Sequence, residues 1–267
     1  MHQKHNHYVP KVYLKRWSFQ RKGKKLIYSL NLKNKLIRSQ PTNEVCKKKN
    51  LYTIPSSYGL DENKISEKFL YKIWEDRWQV VLAKTLDKGL IPRNEELGDI
   101  MAFIIVQSMR SLKFKNDSQA LINKIASDEL KNIDFTLSYA YLAIQGYTDL
   151  INNCTIELYK ANLGKRFITT DNPATHWIVE GKLYTNIKSL IRNMDVLANP
   201  NYKIICPITP YWLGILTPNL GIPVTVSQRN TCNVFELSLE EINIFNTLLE
   251  NTSHEMIFAK SLNDFIK

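Results

Sequence analysis

The sequence predicts an α+β fold: a basic N-terminal segment carrying a β-hairpin, a helical middle, and a mostly antiparallel sheet with a C-terminal helix. Three observations carry that expectation. Short β-branched and aromatic runs flank turn residues before Pro55 and again after Cys154. Between them, apolar residues recur at helical spacing from Asp61 to Ile144. Finally, Ser238 stands directly before an amphipathic run, Leu239 to Asn251, as an N-cap should.

In chain order, Val9, Val12, Tyr13 and Trp17 lie on one helix face, and Pro10 suits a first helical turn, where its missing N–H is no loss. His7 therefore stands just before a short helix docked by Tyr13 and Trp17. Lys25–Leu30 and Leu36–Arg38, around the turn-prone Asn34, read as a hairpin ended by Pro41. Pro55–Gly59 is a turn or linker. It is the candidate boundary between a hairpin lobe (1–60), packed on the rest, and the remainder (61–267). One helix starts at Asp61 and ends near Gly89. A second spans Glu95 to Lys113 on a stripe of Leu97, Met101, Ile104, Ile105, Ser108 and Leu112. A third covers Ser118 to Ile144, with a break near Asn132–Asp134. Thr155–Tyr159, Phe167–Thr170, Lys203–Cys206, Trp212–Leu216 and Glu255–Ala259 read as strands.

Composition narrows the function classes. The chain has 267 residues, enough to bury roughly three quarters of its unfolded surface. It holds no apolar run approaching the roughly 18 residues that cross a bilayer, and no signal-peptide core. No membrane role is expected. Four scattered cysteines without a Cys-x-x-Cys pair point to a reducing cytoplasm and away from structural zinc. The net charge is +11, yet residues 1–50 alone hold fourteen Lys or Arg against the single acid Glu44. The whole surplus sits in the first fifth, including Arg21–Lys25 and Lys47–Lys49. A localised positive field of this kind suits a polyanion, and equally a lysine-rich solvated face. Glycine-rich phosphate loops, a Gly-x-Ser-x-Gly elbow and His-Glu-x-x-His are all missing.

Three clusters could carry chemistry. An imidazole at His7 would sit beside free N–H groups at a helix start, where Lys11 also lies and phosphate binds readily; or it only caps the helix. Thr169-Thr170-Asp171-Asn172-Pro173 ends a strand in a tight turn, so Asp171 is either an aimed carboxylate or an Asx turn. Gln107 and Arg110 share a helix face that Phe103 leads into. A covered Arg needs an anion, and Asp171 or a substrate phosphate would serve. His2, His5 and His7 are metal-ligand types on an extended segment, and Asp171 or His176 could supply a fourth ligand, but no metal set is assigned.

The order of His7-Tyr8-Val9-Pro10-x-x-Tyr13-Leu14-x-x-Trp17, Glu67, Gln107-x-x-Arg110, Phe167–Pro173, Pro207-Ile208-Thr209-Pro210 and a helical Asn243 or Asn246 resembles a bacterial family, domain of unknown function family 4238. The resemblance covers nearly the whole chain and brings no established activity. It implies that His7, Gln107, Arg110, Asp171 and Asn172 converge. The expected function is then a nuclease, acting as a toxin or anti-phage defence effector on RNA or DNA. His7, Arg110 and Asp171 would be catalytic, and Gln107, Asn172, Thr170 and Lys11 would bind substrate. Asp171 would orient His7 or hold a divalent cation. The alternatives are an enzyme for a small phosphorylated metabolite, or a binding or sensing module in which these residues only hold lobes together.

Overall fold

The computed structural model describes residues 5–49, 73–125, 153–162, 164–187, 199–218 and 231–265. Its architecture is α+β, with helices beside predominantly antiparallel sheets. The candidate boundary at Pro55–Gly59, the helix start at Asp61, Glu67, and the break and end of the third helix all lie outside the described residues.

The chain opens with β1 (His5–His7), which pairs antiparallel with β5 (Lys47–Lys49) as a two-stranded ribbon. Between them come α1 (Lys11–Leu14), a 3-10 turn over Lys15–Trp17, β2 (Phe19–Arg21), β3 (Lys24–Asn31) and β4 (Ile37–Pro41). The β3–β4 hairpin is the expected one. The adjoining β2 is an addition: Lys22 and Gly23 both take positive φ, 47° and 73°, the geometry of a type I′ turn that closes a tight hairpin.

Two helix expectations change. The apolar period through Leu112 predicts one helix from Glu95 to Lys113. Instead α2 (Ile73–Lys84) is followed by α3 (Glu95–Arg110) and α4 (Leu112–Ile125), with Ser111 extended between the last two (φ −62°, ψ 149°). Ser111 Oγ accepts the N–H of Phe114 at 3.1 Å, capping the new helix. The following helix thus begins at Leu112, not Ser118.

The C-terminal half supplies β6 (Cys154–Ala161), β7 (Thr169–Thr170), β8 (Thr175–Glu180), β9 (Leu183–Asn186), β10 (Tyr202–Thr209), β11 (Trp212–Pro218), β12 (Asn233–Leu237), α5 (Leu239–Thr252) and β13 (Met256–Ala259). Six of these form a sheet in the order β12-β6-β11-β10-β8-β9, antiparallel except for β12 on β6. Pro207 lies within β10, where the ladder with β11 shifts register between Pro207 and Thr209; that irregularity accommodates a residue with no N–H to give. Ser238 and Glu241 cap α5 reciprocally, as a capping box.

β13 joins the N-terminal sheet. It lies between β3 and β7, so residues 256–259 stitch the basic hairpin to the Thr169–Thr170 strand. The core gathers beneath α1: Tyr13, Trp17, Trp78 and Phe103 are buried, with ring centroids 4.3–5.8 Å apart. That aromatic cluster places α1 against α2 and α3.

Candidate functional site

The segments singled out in the sequence meet around α1, chiefly through main-chain atoms. Tyr13 Oη donates to the carbonyl of Pro207 at 2.7 Å and lies 2.7 Å from Thr169 Oγ1. Trp17 Nε1 donates to the Phe167 carbonyl at 2.8 Å. Asn246, one of the two helical asparagines, accepts from the N–H of Ile168 and donates to the Arg166 carbonyl. Two large aromatics, on a short helix and the 3-10 turn after it, therefore tie together two strands: Thr169 of one and Pro207 of the other stand 156 and 194 residues from Tyr13.

Gln107 and Arg110 are buried on the last turn of α3, a covered face as expected, and both grip the chain itself. Gln107 Nε2 donates to the Tyr8 carbonyl at 3.2 Å, and Arg110 Nη2 donates to the His7 carbonyl at 2.6 Å. The carboxylate facing Arg110 is Glu75 of α2, at 2.5 Å, where the sequence suggested Asp171. The end of α3 thus clamps the strand that carries His7.

Asp171 is likewise engaged. Its Oδ1 accepts Ser253 Oγ and the N–H of His254, and its Oδ2 accepts the N–H groups of Glu255 and Met256, at 2.7–3.1 Å. Burial pushes the carboxyl up from its usual range, while these donors pull it down. Asn172 Nδ2 donates to the Thr252 carbonyl, and the Asn172 N–H to Thr170 Oγ1. The Asx-turn reading describes this turn only in part, because the carboxylate caps the distant loop after α5 and not its own backbone.

His7 differs from the others. Burial and the Arg110 charge push its imidazole below the usual histidine range, so the ring is neutral at pH 7; a hydrogen bond to the Asn43 backbone opposes this. Its Nε2 is buried with no partner among the described residues. An orphaned buried nitrogen of this kind requires a cause, and acid–base chemistry is one. Tyr8, next in sequence, points the other way. Burial, then the neighbouring Cys46 and Asp171, raise its hydroxyl, which bonds the equally raised Cys46 thiol. The His7 main chain thus meets Arg110, while the Tyr8 hydroxyl lies close enough to Asp171 to feel its charge. Lys11 is exposed at the first position of α1, and its charge adds to the downward push on His7.

A family model described as a protein of unknown function (DUF4238) matches residues 5–263. The chain belongs to that family. No curated protein and no solved structure matches it. Membership agrees with the resemblance read from the order of the segments, and the family match spans every contact described above.

For cations, no three His, Cys, Asp or Glu side chains among the described residues group as a metal set. All four cysteines are unpaired thiols. No described helix is long and apolar enough to cross a membrane. His176, in the sequence only a possible fourth metal ligand, has a more distinctive setting in the structure. It is buried on β8 with its Nδ1 2.6 Å from Tyr202 Oη, and its Nε2 also lacks a partner among the described residues. Burial pushes its pKa down to about 4. Nothing in the sequence around it marks that environment.

Proposed function

We propose that the chain is a nucleic-acid-cleaving enzyme in which His7 moves the proton and the basic N-terminal surface grips the phosphate backbone. The observation that carries the reading is the register of β1 on β5, which sets His7 opposite Lys47, Asn6 opposite Lys48 and His5 opposite Lys49. A neutral imidazole and three successive lysines are thereby joined in one ribbon, and Lys48 and Lys49 are exposed. Lysines of this kind neutralise backbone phosphates without reading sequence.

In the hydrolysis proposed, the Nε2 lone pair takes a proton from the attacking water, a P–O bond forms to phosphorus, and the bond to the leaving oxygen breaks. The leaving oxygen takes the proton back from the imidazolium. Nε2 has no exposed surface, so substrate entry requires the β1–β5 ribbon to part. A two-stranded ribbon is marginal on its own and suits that role. Arg110, Gln107, Asp171, Asn172 and Thr170 then act as positioning residues, since each already bonds the chain itself. A divalent cation at Asp171 has little support, because both of its oxygens already accept two donors each. The biological setting proposed is a toxin or anti-phage effector, which expression in bacteria would expose as growth arrest.

That same use of the polar residues on main-chain atoms favours a second reading, a nucleic-acid-binding module without catalysis. One experiment separates them. The purified protein is incubated with tRNA, single-stranded RNA and plasmid DNA, with Mg²⁺ or with EDTA, beside His7→Gln and a triple Lys47–Lys49→Ala variant. The enzyme reading expects cleavage that His7→Gln abolishes and the triple variant weakens with a shallower salt dependence. Binding without cleavage, by protein shown to be folded, transfers the conclusion to the module. Activity untouched by the triple variant points instead to a small phosphorylated substrate.

A further inference from the structure

A polar cavity opens away from α1, between the start of α4, the Asn172 turn and strands β8 and β9. Its volume is about 30 Å³, and it is open to solvent on one side. Roughly 10–15 Å³ holds one water, so the cavity takes a group of a few heavy atoms. His176, Ser111, Lys113, Asp117 and Asn172 are among its walls.

The protonation of His176 follows from Tyr202. The Tyr202 hydroxyl is buried, and its only hydrogen-bond partner among the described residues is His176 Nδ1. A buried hydroxyl with one partner gives its proton to it, since the opposite arrangement would strand the O–H while sparing only lone pairs. Nδ1 is then the acceptor and Nε2 carries the hydrogen. Nε2–H is a buried donor without an acceptor among the described residues, at the wall of a polar cavity. His176 is 9 % exposed as a residue. An acceptor for this N–H, and not a donor, is what would complete the site.

The other walls lean the same way. Ser111 Oγ accepts from Phe114, leaving its hydroxyl proton to donate. The positive end of the 14-residue α4 starts here. Lys113 is close enough to His176 for its charge to act on the ring. It is paired with Asp117 at 2.8 Å, and that carboxylate limits how much added negative charge the cavity tolerates.

We propose that this cavity binds a phosphate group, free or in a diester, through His176 Nε2–H, the Ser111 hydroxyl and Lys113 at the N-terminus of α4. Asp117 favours the singly charged diester over a dianion. The site is separate from His7 and holds whether or not the chain cleaves nucleic acid.

The test is NMR on the full chain with ¹⁵N-labelled histidine, titrated with inorganic phosphate and, separately, with a dinucleoside monophosphate at millimolar concentration. Before ligand, His176 is expected as the Nε2–H tautomer. Either probe then shifts the Nε2–H resonance, and the preferred probe distinguishes a free anion from a diester source. Lys113→Gln, at a partly exposed position, keeps the fold and weakens the shift-derived affinity about tenfold, the loss expected for one hydrogen bond to a charged group. Ser111→Ala weakens it as well. An Nδ1–H tautomer, no shift with either probe, or affinities unchanged in both variants would overturn the proposal.

Discussion

Arg110 Nη2 donates to the main-chain oxygen of His7 across 2.6 Å, so the end of α3 recognises the first strand through an atom that every residue type possesses. The guanidinium is 6 % exposed and its partner Glu75 19 %. Its work is to hold the strand in place, and its removal should be read in stability before it is read in turnover.

Arg110→Met leaves Glu75 largely covered and the His7 carbonyl unpaired. A loss of about 3 kcal/mol is expected, in the range for breaking one side of a buried pair. Urea unfolding should show a lower midpoint at unchanged slope. Arg110→Met with Glu75→Gln should recover part of that loss, because the stranded carboxylate is gone; a purely additive double variant would refute the pairing.

Asp171→Asn keeps the shape of the turn and turns an NH₂ group toward two of the N–H or O–H donors it now accepts. Destabilisation of about 2–4 kcal/mol follows from leaving two buried donors unmet. Hydrogen exchange would localise it: the amides of His254, Glu255 and Met256 should lose protection before those of β10.

Acid should unfold the protein through its histidines. His176, pushed to about 4, and His7, also pushed down, bind fewer protons folded than unfolded. Their contribution is complete above the unfolded value near 6.5 and is lost as pH falls from there toward 4. For His176 the full loss is about 3 kcal/mol. Urea midpoints measured from pH 7.5 to 4.5 should fall, and less steeply in His176→Gln; identical slopes would count against a buried neutral ring.

Gly214, on β11, faces α3. A Cβ there would lie 2.9 Å from Ile104 Cδ1 and 3.0 Å from Ile208 Cδ1, both on fully buried side chains. Gly214→Ala is therefore expected to destabilise by about 1–2 kcal/mol through overpacking, although alanine suits a strand better than glycine. Ile104→Val in the same chain should relieve part of the effect.

Much of the fold was legible because its signals are local. Ser238 marked the start of α5, and Asn34 marked the β3–β4 hairpin. Ser111 misled, since a serine lying off the stripe that holds Ser108 and Leu112 interrupts no hydrophobic period. Only its side-chain bond to the Phe114 N–H distinguishes a new N-cap from a continuing helix. Lys22-Gly23 carried a turn signal too weak to separate β2 from coil. Of the candidate site, the residues could be named from their order along the chain, but their targets could not. Gln107, Arg110 and Tyr13 bond carbonyl oxygens, and a carbonyl leaves no letter in the sequence. His176 went underweighted for the complementary reason: its environment is assembled from Tyr202 and Lys113, both distant along the chain.

The insertion of β13 between β3 and β7 fixes when the N-terminal sheet can form. Residues 28–31 find that neighbour only at residues 256–259, so this edge stays unpaired until nearly all of the described chain has been made. Such distant pairing is slow to form and leaves an open strand edge on the nascent protein. Arg21, Lys22, Lys24 and Lys25, in β2, β3 and their turn, border that waiting edge, and their mutual repulsion would oppose its pairing with another copy. On this view the dense positive charge also guards the chain during its own synthesis.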